Sequence, residues 1–519
     1  MLIGVDVGTG SARAGVFSAD GKMLGVGKHP LTLWHEAGEI VEQSSAQIWE
    51  AVCIAVGQAM QGLDPSGVKG VGFDATCSLV AEGVSVSPSE DPLRDVILWM
   101  DHRASPEAEE INRGGYAVLD YVGGRISPEM ETPKLLWLSR HRPEAFAGAR
   151  RFWDLPDWLT FKATGSEKRS SCTVTCKWTY LAHEDRWDEG YFRAIGLGAL
   201  ADEGFRRIGT QIVAPGTPLG GLTAQAARDL GLCEGTPVAA ALIDAHAGGL
   251  GTLGVTLPGS ADPTRRLAYI FGTSACSMAS THQATPVPGV WGPYYNAMLP
   301  GLWLNEGGQS AAGEALAHLI HLHRDAGPGI AQVAAHAETL GATLSETILA
   351  AAEVVVVPEF LGNRSPFAEP DARAVISGLG LDRGIDTLAA LYLGGLSGIG
   401  YGLKQLLDRF DAKGIAIDTI VASGGAAQSR LACQMLADTT GRQVALPGGQ
   451  EPVLLGAAML AAPAGGVHHD LAAAMAAMSG DAVIFAPATG KVADLHALRF
   501  TAFEALQLAA RTLRAARKA

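Results

Sequence analysis

The first apolar block, Leu2-Ile3-Gly4-Val5-Asp6-Val7, predicts a strand that stops at Gly8-Thr9-Gly10-Ser11 and resumes in residues 14–17. Asp20-Gly21 lies between the apolar runs 14–17 and 23–26 and is a hairpin signal, so residues 8–11 are expected to turn a β-hairpin. Ser44-Ser45 predicts a helix cap, with Ile48, Val52 and Val56 at helical spacing behind it. Residues 68–73 and 96–100 read as strands ending at Asp74 and Asp101. Thr132-Pro133 predicts a helix start that carries Leu135, Leu136 and Leu138. Residues 223–230 predict a helix stopped by Gly231, and 237–243 a strand ending at Asp244.

The pattern then restarts. Leu257-Pro258-Gly259-Ser260-Ala261-Asp262-Pro263 is the most linker-like stretch in the chain. After it, Tyr269-Ile270-Phe271-Gly272-Thr273-Ser274-Ala275-Cys276 repeats the strand, Gly-Thr turn and strand of the first half. Residues 310–323 predict a helix, 353–358 a buried strand, and 387–408 a long helix with one apolar face. A strand over 415–422 enters Ser423-Gly424-Gly425-Ala426-Ala427, with a helix from 429 to 438 behind it. Strands alternating with helices in both halves predict two α/β domains. The Ala/Gly-rich patch 461–466 reads as ordinary surface.

A chain of 519 residues is too long for one ordinary core, which agrees with two domains. The formal charge of −14 argues against nucleic acid or an anionic membrane as partner. No signal-peptide pattern and no membrane-length apolar run is visible. Seven scattered cysteines suggest a reducing compartment, so a soluble cytoplasmic protein is expected. Cys172 and Cys176 lack the spacing and partners of a zinc site in sequence, and His318, His321 and His323 read as a surface helix face.

A tight glycine-bearing turn exposes successive backbone N–H groups, which is what a polyphosphate needs. One such turn alone is more often a plain hairpin. Two of them, one from each half-chain, point to an ATP-using enzyme with its site in a cleft between domains. Gly8-x-Gly10-x-x-Arg13 lacks the third glycine and the helix of a dinucleotide fingerprint, and no P-loop motif is present. Asp6, Asp74, Asp101 and Asp244 sit at predicted strand ends, where α/β sheets gather ligands, although such residues also cap helices. Lys177 by default is a solvated charge, and Glu306 could simply assist the start of a helix.

With these residues in hand, the chain resembles the FGGY family of carbohydrate kinases, part of the sugar kinase, actin and chaperone ATPase superfamily. The motifs that carry the resemblance run from residues 3–9 through Pro133-Lys134-Leu135-Leu136-Trp137-Leu138 and Leu98-Trp99-Met100-Asp101-His102-Arg103-Ala104 to residues 451–458. Ser423-Gly424-Gly425-Ala426-Ala427-Gln428-Ser429 is similar to the family's adenosine motif, whereas 374–391 fits its second signature only loosely. The resemblance implies two actin-like, ribonuclease H-like domains flanking a central cleft, spanning 1–257 and 267–519 with a hinge at 258–266. Residues 72–78 and Leu242-Ile243-Asp244-Ala245-His246-Ala247-Gly248-Gly249 look most like the ribulokinase branch.

By the same resemblance Asp244 is the catalytic base, and Asp74, Trp99, Lys177, Asp244 and Glu306 hold ketopentose hydroxyls. ATP would be gripped by Gly8, Thr9, Gly10, Ser11 and Arg13, by Gly272, Thr273 and Ser274, and by Gly425, Ala426 and Gln428. Asp6 and Asp244 would hold Mg²⁺ largely through its waters. The expected reaction is phosphorylation of D-ribulose, with L-ribulose, ribitol or another five-carbon substrate as alternatives. A non-catalytic ATP-binding protein on the same scaffold is the alternative from another class. A sugar and ATP are the expected partners, and a homodimer is allowed.

Overall fold

The computed structural model describes residues 1–519 apart from 38, 258–261, 324–328, 352, 383, 450 and 519. The opening apolar block forms β1 (Leu2–Val7), buried along its whole length. It pairs antiparallel with β2 (Ser11–Phe17), so the first Gly-Thr turn is a hairpin turn, closed by Gly8 N–H on the Ser11 carbonyl at 3.1 Å. Asp20-Gly21 returns the chain into β3 (Met23–Pro30) with Gly21 at φ 80°, where a side chain would strike the Met478 carbonyl. Helix α1 (Ser45–Ala59) is capped by Ser44 and buries Ile48, Val52 and Val56 against this hairpin.

Strand β4 (Gly70–Ala75) runs parallel to β1, followed by β5 (Pro218–Gly221), β6 (Pro237–Ala239) and β7 (Leu242–Ile243). Among the described residues this is a seven-stranded sheet in the order β5-β6-β4-β1-β2-β3, with β7 beside β4. Among the described residues the second sheet also has seven strands. They are β8 (Arg266–Phe271), β9 (Ala275–Thr281), β10 (Trp291–Tyr295), β11 (Trp303–Gln309), β12 (Thr419–Ser423), β13 (Gln443–Pro447) and β14 (Ala482–Phe485), in the order β10-β11-β9-β8-β12-β13-β14. The antiparallel hairpin β1–β2 with β4 parallel beside it recurs as β8–β9 with β12 parallel beside it. Both Gly-Thr turns therefore emerge at equivalent corners.

Several predicted elements shift once tertiary pairing is present. Asp74 was expected to end its strand, but it lies within β4 because that strand continues to Ala75, pairing Asp74 with Asp6. The single strand over 237–243 is two short pieces, after which Asp244 opens a helix rather than standing at a bare strand end. Strand 96–100 keeps only Val96–Ile97. Helix α2 (Glu131–His141) starts ahead of Thr132-Pro133 with Met130 as its cap residue. Of the 258–266 linker, residues 258–261 lie outside the described residues; Pro263–Arg265 is a short turn capped by Asp262, and Arg266 already opens β8.

Four more helices position the site. They are α3 (Ser171–Lys177), α4 (Asp244–Leu253), α5 (Gly313–His323) and α6 (Pro452–Ala464). Helix α6 belongs in sequence to the second half but packs on β1, β4 and α4 of the first. Glycines make that approach close. A Cβ on Gly4, Gly72, Gly251 or Gly456 would lie 2.0 Å or less from a backbone carbonyl oxygen across the contact. The patch 461–466 expected at the surface begins in this helix, where Ala461 and Ala462 are fully buried. Its residues are apolar on every side, which marks a helix enclosed by protein.

Candidate active site

A cavity of about 480 Å³ opens between the two sheets, walled by the first Gly-Thr turn, the start of α4, the end of α3, and β11. The register of the first sheet explains its acidic end. Parallel pairing sets Asp6 opposite Asp74, and β7 pairs Leu242 with Asp74, which delivers Asp244 to the same end. Asp6 and Asp244 line the cavity; Asp74 does not. Asp74, expected to contact a sugar hydroxyl, instead has a fully buried carboxyl beside Asp6 in the sheet, with no hydrogen-bond donor on either oxygen. Burial first, then the Asp6 charge, pushes its pKa well above the ordinary carboxylate range.

Asp244 is raised to about 6, by burial first and the Asp6 charge second. Its Oδ1 accepts the Ala245 N–H at 2.7 Å, which opposes that rise. Arg13 donates through Nε to Asp6 Oδ2 at 2.6 Å and through Nη1 to Glu451 Oε2 at 2.6 Å. It thus ties the first turn to the residue preceding α6. Trp99 donates from Nε1 to Thr9 Oγ1 at 2.9 Å, joining its side of the cavity to the same turn.

Lys177 ends α3 and is buried, so the default of a solvated charge does not apply. Burial opposes its charge, yet Cys77, Glu306, Tyr294 and Glu129 outweigh it and raise the pKa well above the usual lysine value. Its Nζ stands 5.3 Å from the centre of the Trp291 ring. Glu306 lies within β11 instead of assisting a helix. Burial would raise its pKa, but the His246 hydrogen bond, then the His246, Arg364 and Lys177 charges, bring it down to about 2. His246 Nε2 is 3.3 Å from Glu306 Oε2, and Arg364 Nη2 donates to Oε1 at 3.2 Å.

In the second turn Gly272 N–H meets the Ser274 carbonyl at 2.9 Å, while Ala312 and Gly313 N–H groups bond to Thr273 and Gly272 carbonyls. Ser274 lines the cavity, whereas Gly272 and Thr273 do not. Gly424, at φ 92°, brings its segment so close that a Cβ would sit 2.6 Å from the Phe271 carbonyl oxygen. Gly425, Ala426 and Gln428 follow beside the second turn, outside the cavity lining, with Gly425 and Gln428 exposed. Gly8, Thr9, Gly10, Ser11, Arg13, Trp99, Lys177, Asp244 and Glu306 all meet in the one cavity.

Sequence reasoning missed His246, Glu129, Trp291 and Arg364 as cavity residues. His246 stood in the Asp-Ala-His run, two residues after Asp244, and that proximity was a usable signal. Arg364 sits in an irregular loop 58 residues beyond Glu306, and no local pattern points to it.

Two sheets built on the same hairpin-plus-parallel-strand core, with both hairpin turns at an intervening cavity, form an actin-like α/β ATPase fold. Models of the N-terminal and C-terminal domains of the FGGY family of carbohydrate kinases match residues 1–251 and 267–465, and the chain belongs to that family. It is 42% identical to an FGGY carbohydrate kinase domain-containing protein of Homo sapiens, over 92% of this chain and 91% of the relative. It is 36% identical to a D-ribulokinase of Saccharomyces cerevisiae, over 89% of this chain and 71% of the relative. The xylulose kinase of Rhodospirillum rubrum superposes with a TM-score of 0.79 at 23% identity, covering 99% of both chains. The glycerol kinase of Plasmodium falciparum, solved with ADP, gives 0.79 at 16% identity, covering 97% of both. These two structures share the fold.

Proposed function

We propose that this chain transfers the γ-phosphoryl group of ATP to the C5 hydroxyl of D-ribulose, giving ADP and D-ribulose 5-phosphate. The observation that carries the proposal is the cavity itself, whose lining brings together Asp244, the first Gly-Thr turn and the buried Lys177 and Glu306 charges. Phosphoryl transfer asks the protein mainly for alignment and charge stabilisation. Asp244 accepts the C5 hydroxyl proton as that oxygen attacks phosphorus, while the amides at 9–11 and 273–274 face the phosphate oxygens. Lys177 donates to sugar oxygens and Glu306 accepts from sugar hydroxyls. A buried site built around hydroxyls rejects analogues that leave its groups unpaired.

Asp6 and Asp244 offer hard carboxylate oxygens at one sheet end, a donor set that suits Mg²⁺. When bound, the ion would neutralise phosphate charge. Gly425, Ala426 and Gln428 beside the second turn would hold the nucleoside. The choice of D-ribulose is supported by the Saccharomyces cerevisiae relative. A non-catalytic ATP-binding protein would need neither Asp244 beside the phosphate turn nor a charged sugar wall.

Coupled ADP release across ketopentoses, aldopentoses, polyols and glycerol tests the reading. D-ribulose should show the highest kcat/KM. L-ribulose or ribitol ahead by tenfold, roughly 1.4 kcal/mol, would reassign the substrate within the class. Glycerol as best substrate would remove the roles given to Lys177 and Glu306, and ATP binding without turnover of any sugar would favour the non-catalytic reading.

A site assembled from both halves should also tighten when both ligands bind, excluding water as a competing acceptor. Small-angle scattering should show a smaller radius of gyration with sugar and nucleotide together. An unchanged radius combined with fast sugar-independent ATP hydrolysis would reject closure as the gate.

A further inference from the structure

Helix α3 presents Cys172 and Cys176 four residues apart, on one face of a helix. Both are buried, and both face the first turn of α4, which brings His246 to them. Cys172 Sγ lies 3.1 Å from His246 Nδ1, and the two sulfurs and one ring nitrogen all fall within 4.8 Å of one another. The absence of zinc-site partners in the linear sequence is thus made good by a residue 74 positions away.

We infer that Cys172, Cys176 and His246 form a binding site for a thiolate-seeking divalent ion of the zinc class, next to the sugar wall and separate from the Asp6 and Asp244 carboxylates. Three features favour an ion over ordinary core packing. In a tetrahedral zinc site the sulfur–nitrogen edge is about 3.5 Å, so the observed edge needs only a few tenths of an ångström of opening. The imidazole has the surroundings of a metal ligand: Nδ1 faces the sulfurs while Nε2 is turned to the Glu306 carboxylate at 3.3 Å, the outer partner that orients such rings. The Ile243 N–H donates to Cys172 Sγ at 3.4 Å, which favours a thiolate.

Two thiolates and an imidazole select a soft or borderline ion, whereas magnesium prefers oxygen. Three protein donors leave the fourth position to water. An ion here would pin the turn of α3 that ends in Lys177 to the turn of α4 that begins with Asp244. Its effect would be to fix two residues of the sugar wall relative to each other.

The test uses the full chain, reduced and freed of metal, then titrated with Co²⁺ under excess Mg²⁺. One equivalent should bind with a thiolate-to-cobalt charge-transfer band, Zn²⁺ should displace it, and Zn²⁺ should raise the melting temperature. Cys172→Ser and Cys176→Ser should each weaken binding by at least about tenfold and abolish the thermal shift. His469→Ala, which alters an exposed histidine beside Asp470, should bind as wild type. Alkylating the native protein, which reaches exposed Cys233, should leave the band intact and keeps the test decisive if a cysteine variant does not fold. No band in the wild type, a band that survives both serine substitutions, or one lost on surface alkylation would overturn the site and leave a metal-free thiol–imidazole contact.

Discussion

Replacing Asp244 by Asn is expected to lower kcat by roughly 10²–10⁴-fold, the usual contribution of a positioned general base, with ATP affinity near wild type. Asn preserves the shape of the side chain and removes its ability to take a proton. Asp244 sits at the first position of α4 and lines the cavity, so the change leaves the sheet core alone. Nucleotide binding by calorimetry beside turnover by ADP release separates chemistry from folding. A variant that keeps half the wild-type rate would move the base elsewhere. The pH dependence carries the same information. A base works ionised, and Asp244 is raised to about 6, so under the proposed role kcat/KM should fall as pH drops through that value and level off above it.

Gly456→Ala is the second large effect. The new methyl would stand 1.9 Å from the Ala247 carbonyl oxygen and 3.1 Å from the Gly251 nitrogen, all backbone atoms of α4. No rotamer change can relieve a clash between backbones, so α6 and α4 must separate. Overpacking of this kind costs about 3 kcal/mol, which lowers the melting midpoint of a half-chain unit of roughly 250 residues by about 6 °C. Activity should fall with it, because α4 carries Asp244. A melting temperature within one or two degrees of wild type, read by circular dichroism, would show that the helices do not rely on this contact.

Local chemistry made the repeated turns legible, since a hairpin needs its glycines wherever it sits. It also marked Asp6 and Asp244, which stand beside recognisable breaks in the apolar pattern, whereas Glu306 was marked by the family resemblance alone. Pairing between distant strands was not legible. The length of β4 depends on its parallel match to β1, and that match takes Asp74 from the strand end into the interior. The burial of Lys177 was hidden for a related reason: its counter-charges, Glu129 and Glu306, come from distant segments. Helix α6 was misread in part because alanine and glycine lack an amphipathic stripe, and such a helix looks like low-complexity surface until its groove is known.

The seat of α6 bears on how this chain could be divided or recombined. Its groove is cut by Gly4, Gly72 and Gly251, hundreds of residues before the helix that fills it, and Leu454, Met459 and Leu460 complete a core shared with Leu2, Leu242 and Leu250. A fragment ending at residue 257 would bare that trough to water, and the remainder would carry an apolar helix with nowhere to lie. Swapping one half for that of a relative would set foreign carbonyls against these glycines. The smallest exchangeable piece is therefore the first half together with its own copy of residues 452–464.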